Sequence, residues 1–216
     1  MRRTTSIALA LTAAALVAAP AAAQTPKKGG ILKFASVAEP PTTDCHGTTT
    51  FAMIHPVVPQ YSTLLKLVGP HDKTRTEGDL AESWEISPDQ TSYTFKLRTD
   101  VTFHDGTKFD AAAVKANLDR VGNGAGRPLT ALPDIGPYDS TEILGPDTVR
   151  IKLKEPFAPL LRNLSKTTLG IISPTALAKH GAAIAQNPVG SGPFRFVSLV
   201  QGVEIRLERN PDYKWA

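Results

Sequence analysis

Cys45 and His46 stand side by side, and a thiol next to an imidazole is the pairing from which Cys-His catalysis or a metal site is built. Zinc needs three or four ligands, however, and the five histidines show no His-x-His or His-x-x-x-His spacing. A single cysteine also excludes an intrachain disulfide framework and any cysteine-rich zinc module. His104-Asp105-Gly106 offers an acid–base pair, but neighbours on a strand point to opposite faces and Asp-Gly is a common turn, so a structural turn is expected. Gly190-Ser191-Gly192 sets a serine between glycines. A nucleophile elbow needs strand, sharp turn and helix, whereas Pro193 and then a strand follow here, so Ser191 reads as a turn residue. Gly122-Asn123-Gly124-Ala125-Gly126 has the glycine density of a phosphate loop but follows a helix rather than a strand, which leaves a helix terminator. Asn163-Leu164-Ser165 matches a glycosylation acceptor pattern but falls on a predicted helix. These residues give no catalytic site, no metal site and no cofactor.

The elements that must position polar groups are read from periodicity. Tyr93, Phe95 and Leu97 alternate with Thr94, Lys96 and Arg98, a strand with one buried face, joined through Pro88-Asp89-Gln90 to Trp84-Glu85-Ile86. A second hairpin runs from Thr141–Leu144 through Gly145-Pro146-Asp147 into Val149, Ile151 and Leu153. A third runs from Phe194–Val200 through Gln201-Gly202 into Val203, Ile205 and Leu207, with Gly202 free to take the positive φ of a tight turn. Asp110 caps a predicted helix to about Val121, with Val114, Leu118 and Val121 on one face. Phe157–Leu164 reads as a second helix. Ser173-Pro174 starts a third, closed by Gly181. Ile31–Ala35 reads as a short strand stopped by Glu39-Pro40-Pro41, and Phe51–Leu67 as an apolar, helical stretch broken by Pro56 and Pro59. Hairpins mixed with helices indicate a mixed α/β (α+β) protein.

The chain has 216 residues, 41% hydrophobic and 20% charged, which excludes wholesale disorder. Its net charge of +4 comes without a dense Lys/Arg stripe, so no nucleic-acid partner is expected. Met1-Arg2-Arg3, an apolar run from Ile7 to Val17 and the small residues of Pro20-Ala21-Ala22-Ala23 form a secretory signal peptide with cleavage after Ala23. The run is too short for a membrane span, and Cys45 lies too far downstream for a lipid anchor. The expected location is the periplasm. Removing Arg2 and Arg3 leaves the mature chain at +2.

Several blocks together resemble a known family. Gly29-Gly30-Ile31-Leu32 with Glu39-Pro40-Pro41 is similar to the opening of the mature bacterial family 5 solute-binding proteins, receptors of peptide/nickel-type ABC importers. Leu80-Ala81-Glu82-Ser83-Trp84-Glu85, Tyr93–Arg98 and Val101–Thr107 resemble that family's signature region. Asp110–Leu118, Val149–Phe157, Asn187–Phe194 and Arg209–Tyr213 follow in family order. The resemblance implies a periplasmic-binding-protein-like clamshell of two lobes that closes over a ligand. Residues 24–30, polar and basic, read as a mobile leader; the resemblance implies 31–60 and 187–216 as the first lobe and about 61–186 as its extra small domain. Family members are longer, so a fragment lacking the second lobe is expected.

The implied function is non-catalytic: a monomer captures a small-molecule or peptide ligand and delivers it to an ABC permease of the inner membrane. The implied ligand-binding residues are Glu39, Thr43, Asp44, Cys45, His46, Thr48 and Thr49, in the polar loop where the family often has Leu-Asp-Pro and this chain has Thr43-Asp44-Cys45. Asp44 offers acceptors to a ligand amine, and Thr48 and Thr49 offer hydroxyls. Asp44 reads equally as a turn residue and Thr48 as a helix cap. The alternatives are a periplasmic hydrolase, for which no nucleophile–base pair is evident, and an incomplete half-lobe that only contacts other proteins.

Overall fold

A strand with one apolar face needs hydrogen-bonding neighbours and a lid, and both are found. The computed structural model describes residues 29–69, 75–124 and 129–215. The predicted signal peptide (1–23) and most of the leader (24–28) lie outside them, as do Ala125 and Gly126 of the glycine-rich loop. Two units are distinguished, Met1–Ala35 and Ser36–Ala216. In the first, described residues 29–35 form no helix or strand, which corrects the strand expected at Ile31–Ala35. A short apolar run without a partner strand to supply a ladder does not hold as a strand.

The second unit opens with α1 (Phe51–Val57), which tightens into a 3-10 turn at Val58–Gln60. Pro56 and Pro59 remove donors here, so the helix expected over Phe51–Leu67 is cut short and the chain becomes extended at β1 (Leu65–Leu67). β1 pairs antiparallel with β2 (Thr76–Gly78). β3 (Ala81–Ile86), β4 (Ser92–Leu97), β5 (Tyr138–Gly145) and β6 (Thr148–Leu153) form one antiparallel sheet in the order β3-β4-β6-β5. Two predicted hairpins are thus joined through β4 and β6, with Tyr93 opposite Ile151 and Phe95 opposite Val149. The alternation holds: Tyr93, Phe95, Leu97, Val149, Ile151 and Leu153 are all buried.

Helix α2 (Ala111–Gly122) covers that face with Val114, Leu118 and Val121. Its Asp110 cap accepts from the Ala113 N–H at 2.8 Å. Short α3 (Leu132–Ile135) and α4 (Leu160–Asn163) follow. α4 is shorter than the predicted Phe157–Leu164 helix. Phe157 instead lies over Gly136, where a Cβ would sit 2.5 Å from its ring. α5 (Pro174–His180) begins at Ser173, whose Oγ accepts from Ala176 N–H, and ends at Gly181 with φ 51°. The β7 (Phe194–Val200) and β8 (Glu204–Arg209) ribbon turns at Gly202 with φ 70°.

Two apolar clusters result. The larger lies between the sheet, α2 and the loops around them. The smaller gathers Cys45, Met53, Val57, Tyr61, Ile172, Ala176 and Ile184. The segment Leu169–Ser173 runs along both. Asn117 lies on the α2 stripe, three residues from Val114 and four from Val121, so it faces inward. There its amide grips both backbone groups of Ile172, donating to the carbonyl at 2.8 Å and accepting from the N–H at 2.9 Å.

Gly190-Ser191-Gly192 is a backbone crossing. Gly192 N–H donates to Gln60 O at 3.0 Å, and His104 donates from its backbone N–H to Gly190 O at 2.8 Å. A Cβ on Gly190 would lie 2.1 Å from Gln60 O, which is why glycine stands there. Gly190→Ala is expected to destabilise the protein by about 1–3 kcal/mol, read as a lower urea midpoint at unchanged m-value.

Candidate functional site

The polar loop before α1 is held from beneath. Asp44 is a carboxylate with 1% of its side chain exposed, and Arg120, at the last turn of α2, reaches it with two guanidinium nitrogens. Nη2 donates to Oδ2 at 2.6 Å and Nη1 to Oδ1 at 3.2 Å. Oδ1 also accepts from the His46 backbone N–H at 3.1 Å. Arg120 Nη1 lies 2.6 Å from His46 Nδ1, and His46 Nε2 lies 2.9 Å from Gly170 O. Arginine only donates and a carbonyl only accepts, so His46 is the neutral tautomer with its proton on Nε2.

The ionisation of these groups follows from the same geometry. Burial alone pushes the Asp44 carboxyl up, but the Arg120 hydrogen bond and charge, with His46, outweigh it and hold the group below the usual carboxylate value. Burial pulls His46 down to about 4; Asp44 opposes this and Arg120 adds to it. Burial, and after it the Asp44 charge, pushes the Cys45 thiol well up. Cys45 therefore stays a thiol, and its Sγ lies 3.7 Å from Gly170 O. A buried thiol of this kind is a poor nucleophile or metal ligand.

Of the residues singled out in the sequence, Thr43, Asp44, Cys45 and His46 are buried together. Thr43 Oγ1 donates to Ala185 O at 2.5 Å. Thr48 is half-buried and Thr49 is exposed, where the loop turns into α1. The N-cap of α1 is Thr50 rather than Thr48, and Thr48 Oγ1 accepts from the Thr50 N–H at 3.4 Å. Glu39 is exposed and accepts from the Gly202 N–H at 3.2 Å on the β7–β8 turn, apart from the buried cluster.

Beside Thr49 lies a groove of about 370 Å³, lined by Thr49, Ile54, Asp134, Ser165, Lys166, Thr167 and Thr168. Asp134, Lys166 and Arg120 are the functional candidates missed by reading the chain alone. For Arg120 one signal existed, since it lies three residues after inward-facing Asn117 on the same helix. Asp134 and Lys166 are 32 residues apart and carry no joint spacing signal.

His104-Asp105-Gly106 is the turn expected of it, whereas Ser191, expected in a turn, lies in the backbone crossing against Gln60 because Gly190 and Gly192 pack on that segment. Asp105 accepts from the Thr107 N–H and hydroxyl and from Ser173 Oγ, while His104 Nε2 lies 3.0 Å from Gly192 O. Among the described residues, no group of three or more His, Cys, Asp or Glu side chains could hold a metal ion, and no helix is long and apolar enough to cross a membrane.

The buried neutral His46 makes stability pH-dependent with a definite sign. An unfolded histidine takes up a proton near pH 6.5, whereas folded His46 resists down to about 4. The unfolded state therefore binds more protons in that window, and stability falls as pH falls through it. Asp44 acts lower: its contribution is present above the ordinary carboxylate value and is lost only as pH drops through its lowered one. Gln at position 46 supplies an acceptor for Arg120 and a donor for Gly170 O without titrating. Between pH 7 and 4 the wild type is expected to lose about 3 kcal/mol more than His46→Gln, measured by denaturant unfolding at each pH.

Comparison with known proteins places this architecture. The family model "Bacterial extracellular solute-binding proteins, family 5 Middle" matches residues 75–216. The glutathione-binding protein GsiB of Pectobacterium atrosepticum is 43% identical over 134 residues, covering 62% of this chain and 26% of that protein. GsiB of Escherichia coli K12 is 39% identical over 150 residues, covering 68% and 28%. The chain thus spans about a quarter of the length of these relatives. Among solved structures, the periplasmic binding protein DppA of Helicobacter pylori, in complex with the peptide STSA, matches with a TM-score of 0.73 at 30% identity, covering 82% of this chain and 38% of that one. NikA of Brucella suis, in complex with Fe(III)-EDTA, matches with a TM-score of 0.72 at 33% identity, covering 83% and 36%. The fold is that of part of a periplasmic-binding-protein clamshell, and the chain belongs to the bacterial extracellular solute-binding proteins, family 5.

Proposed function

We propose that the protein acts as the periplasmic substrate-binding component of an ABC importer, capturing a peptide-like or other small solute and delivering it to a membrane permease. The observation that carries this reading is family membership over residues 75–216, with similar proteins that are named for binding glutathione or were solved with a bound peptide. In this reading residues 31–60 and 187–216 belong to the first lobe and about 61–186 to its extra small domain. The protein works as a monomer and without catalysis.

Within the ligand-binding set, the roles divide by exposure. Thr49 is exposed and Thr48 half-buried just before α1, so their hydroxyls are the accessible ones of the set. Thr43, Asp44, Cys45 and His46 form the buried base that fixes them. A rigid base matters because binding loses affinity to every group that must be ordered on association. Glu39 pins the β7–β8 turn through Gly202. The hydrolase alternative is not favoured: Ser191 Oγ is buried without a hydrogen-bond partner, so no imidazole activates it, and burial keeps Cys45 a thiol.

Isothermal titration calorimetry of the purified protein with glutathione and with Ala-Ala tests the reading. At least one is expected to bind. Thr48→Val with Thr49→Val is expected to weaken it roughly tenfold, the effect of losing one or two hydrogen bonds, with the thermal midpoint unchanged. Failure of the wild type to bind any peptide would overturn the receptor reading. Unchanged affinity in the double variant would move the site away from this loop.

A further inference from the structure

The groove beside Thr49 contains a charge pair whose geometry is more defined than that of an ordinary surface ion pair. Asp134, on α3, has a side chain only 14% exposed, and each of its oxygens is engaged. Oδ1 accepts from Lys166 Nζ at 2.6 Å and Oδ2 from Thr168 Oγ1 at 2.5 Å. The backbone is tied as well: Asn163 Nδ2 donates to Asp134 O at 2.9 Å, and Lys166 N–H donates to Asn163 O at 2.9 Å. Lys166 is half exposed, with 48% of its side chain open to solvent, so two of its three N–H donors are not used by Asp134. Thr49 and Thr167 stand on the walls of the same groove.

This pair is a poor receptor for a lone ion, because an anion drawn to Lys166 meets the charge of Asp134 and a cation drawn to Asp134 meets Lys166. A solute carrying both charges a few ångströms apart complements both. Its carboxylate would take the free donors of Lys166, and its ammonium the remaining lone pairs of Asp134. The volume, about 370 Å³, suits one small polar head rather than a long chain. Resting on the receptor reading above, we propose that Lys166 and Asp134 form a subsite for an α-amino-acid head group, with ammonium and carboxylate on one carbon, so that the 129–168 region contributes to specificity next to the Thr48–Thr49 loop.

The test uses three probes on the purified protein: γ-glutamylglycine, its N-acetyl derivative, and the derivative with the α-carboxyl amidated. Ala-Ala is run alongside. The wild type is expected to prefer free γ-glutamylglycine over both blocked forms by roughly tenfold or more, the worth of a charge-assisted hydrogen bond. Lys166→Met is expected to lose that preference for the acid over the amide while keeping its thermal midpoint, since the side chain is half exposed. Lys152→Met, on the sheet, is expected to retain it. Equal binding of free and blocked probes, or a preference that survives Lys166→Met, overturns the subsite and leaves the receptor reading standing if Ala-Ala binds. Absence of binding by every probe overturns the subsite, and the receptor reading falls with it only where glutathione also fails to bind.

Discussion

A buried carboxylate must be paired or protonated, and the arrangement around Asp44 follows from keeping it charged. Asp44 carries almost no exposed surface, so its partner has to come from the interior side. Arg120 supplies it from 76 residues away. For a guanidinium at the end of α2 to reach the loop at residues 43–47, the helix must be fixed lengthwise and in rotation. The sheet does this by packing Val114, Leu118 and Val121 against Phe95, Val149 and Ile151, while Asn117 clamps Ile172 from the same helix. His46 completes the set as a neutral group between Arg120 and Gly170 O. The close approach of Gly170 to Tyr61 and Cys45 leaves little room there for any larger residue.

Pairing of this kind contributes less to stability than to geometry, because two desolvated ions offset much of their own attraction. Its consequence is positional. The loop enters α1 with Thr49 exposed and Thr48 half-buried above the buried Thr43–His46 segment. The walls of the neighbouring groove come from α3 and from residues 165–168. The residues leading into α3 are tied to the loop by Thr130 Oγ1 to Gly47 O at 2.9 Å and Ala131 N–H to His46 O at 3.3 Å, and Lys166 and Thr168 are tied to Asp134 of α3. Residues distant in sequence are therefore brought to one edge, where they form a polar surface of defined shape.

Much of the local structure is legible residue by residue, because local rules decide it. The alternation at Tyr93–Leu97 and Val149–Leu153 marks the buried faces, Asp110 and Ser173 mark helix starts, and Gly202 marks a turn needing positive φ. What depends on long-range pairing is not legible. Nothing in the spacing announces that β4 pairs with β6, that Ile31–Ala35 forms no ladder, or that the 157–164 helix shrinks to four residues so that Phe157 can cover Gly136. The same limit governs the site. Asp44 and His46 stand out by type, but only the fold reveals that Arg120 engages them. Lys166 and Asp134 are unremarkable charges until α3 and the 165–168 turn bring them together.

The most direct test is a double-mutant cycle between Asp44→Asn and Arg120→Met, read by denaturant unfolding at pH 7. Each single substitution leaves a buried group without its counter-charge and is expected to cost about 3–5 kcal/mol. The double variant is expected to cost little more than either alone, so the coupling is several kcal/mol. Additive losses, with coupling below about 0.5 kcal/mol, would contradict the account, because the loop would then be held by something other than this pair.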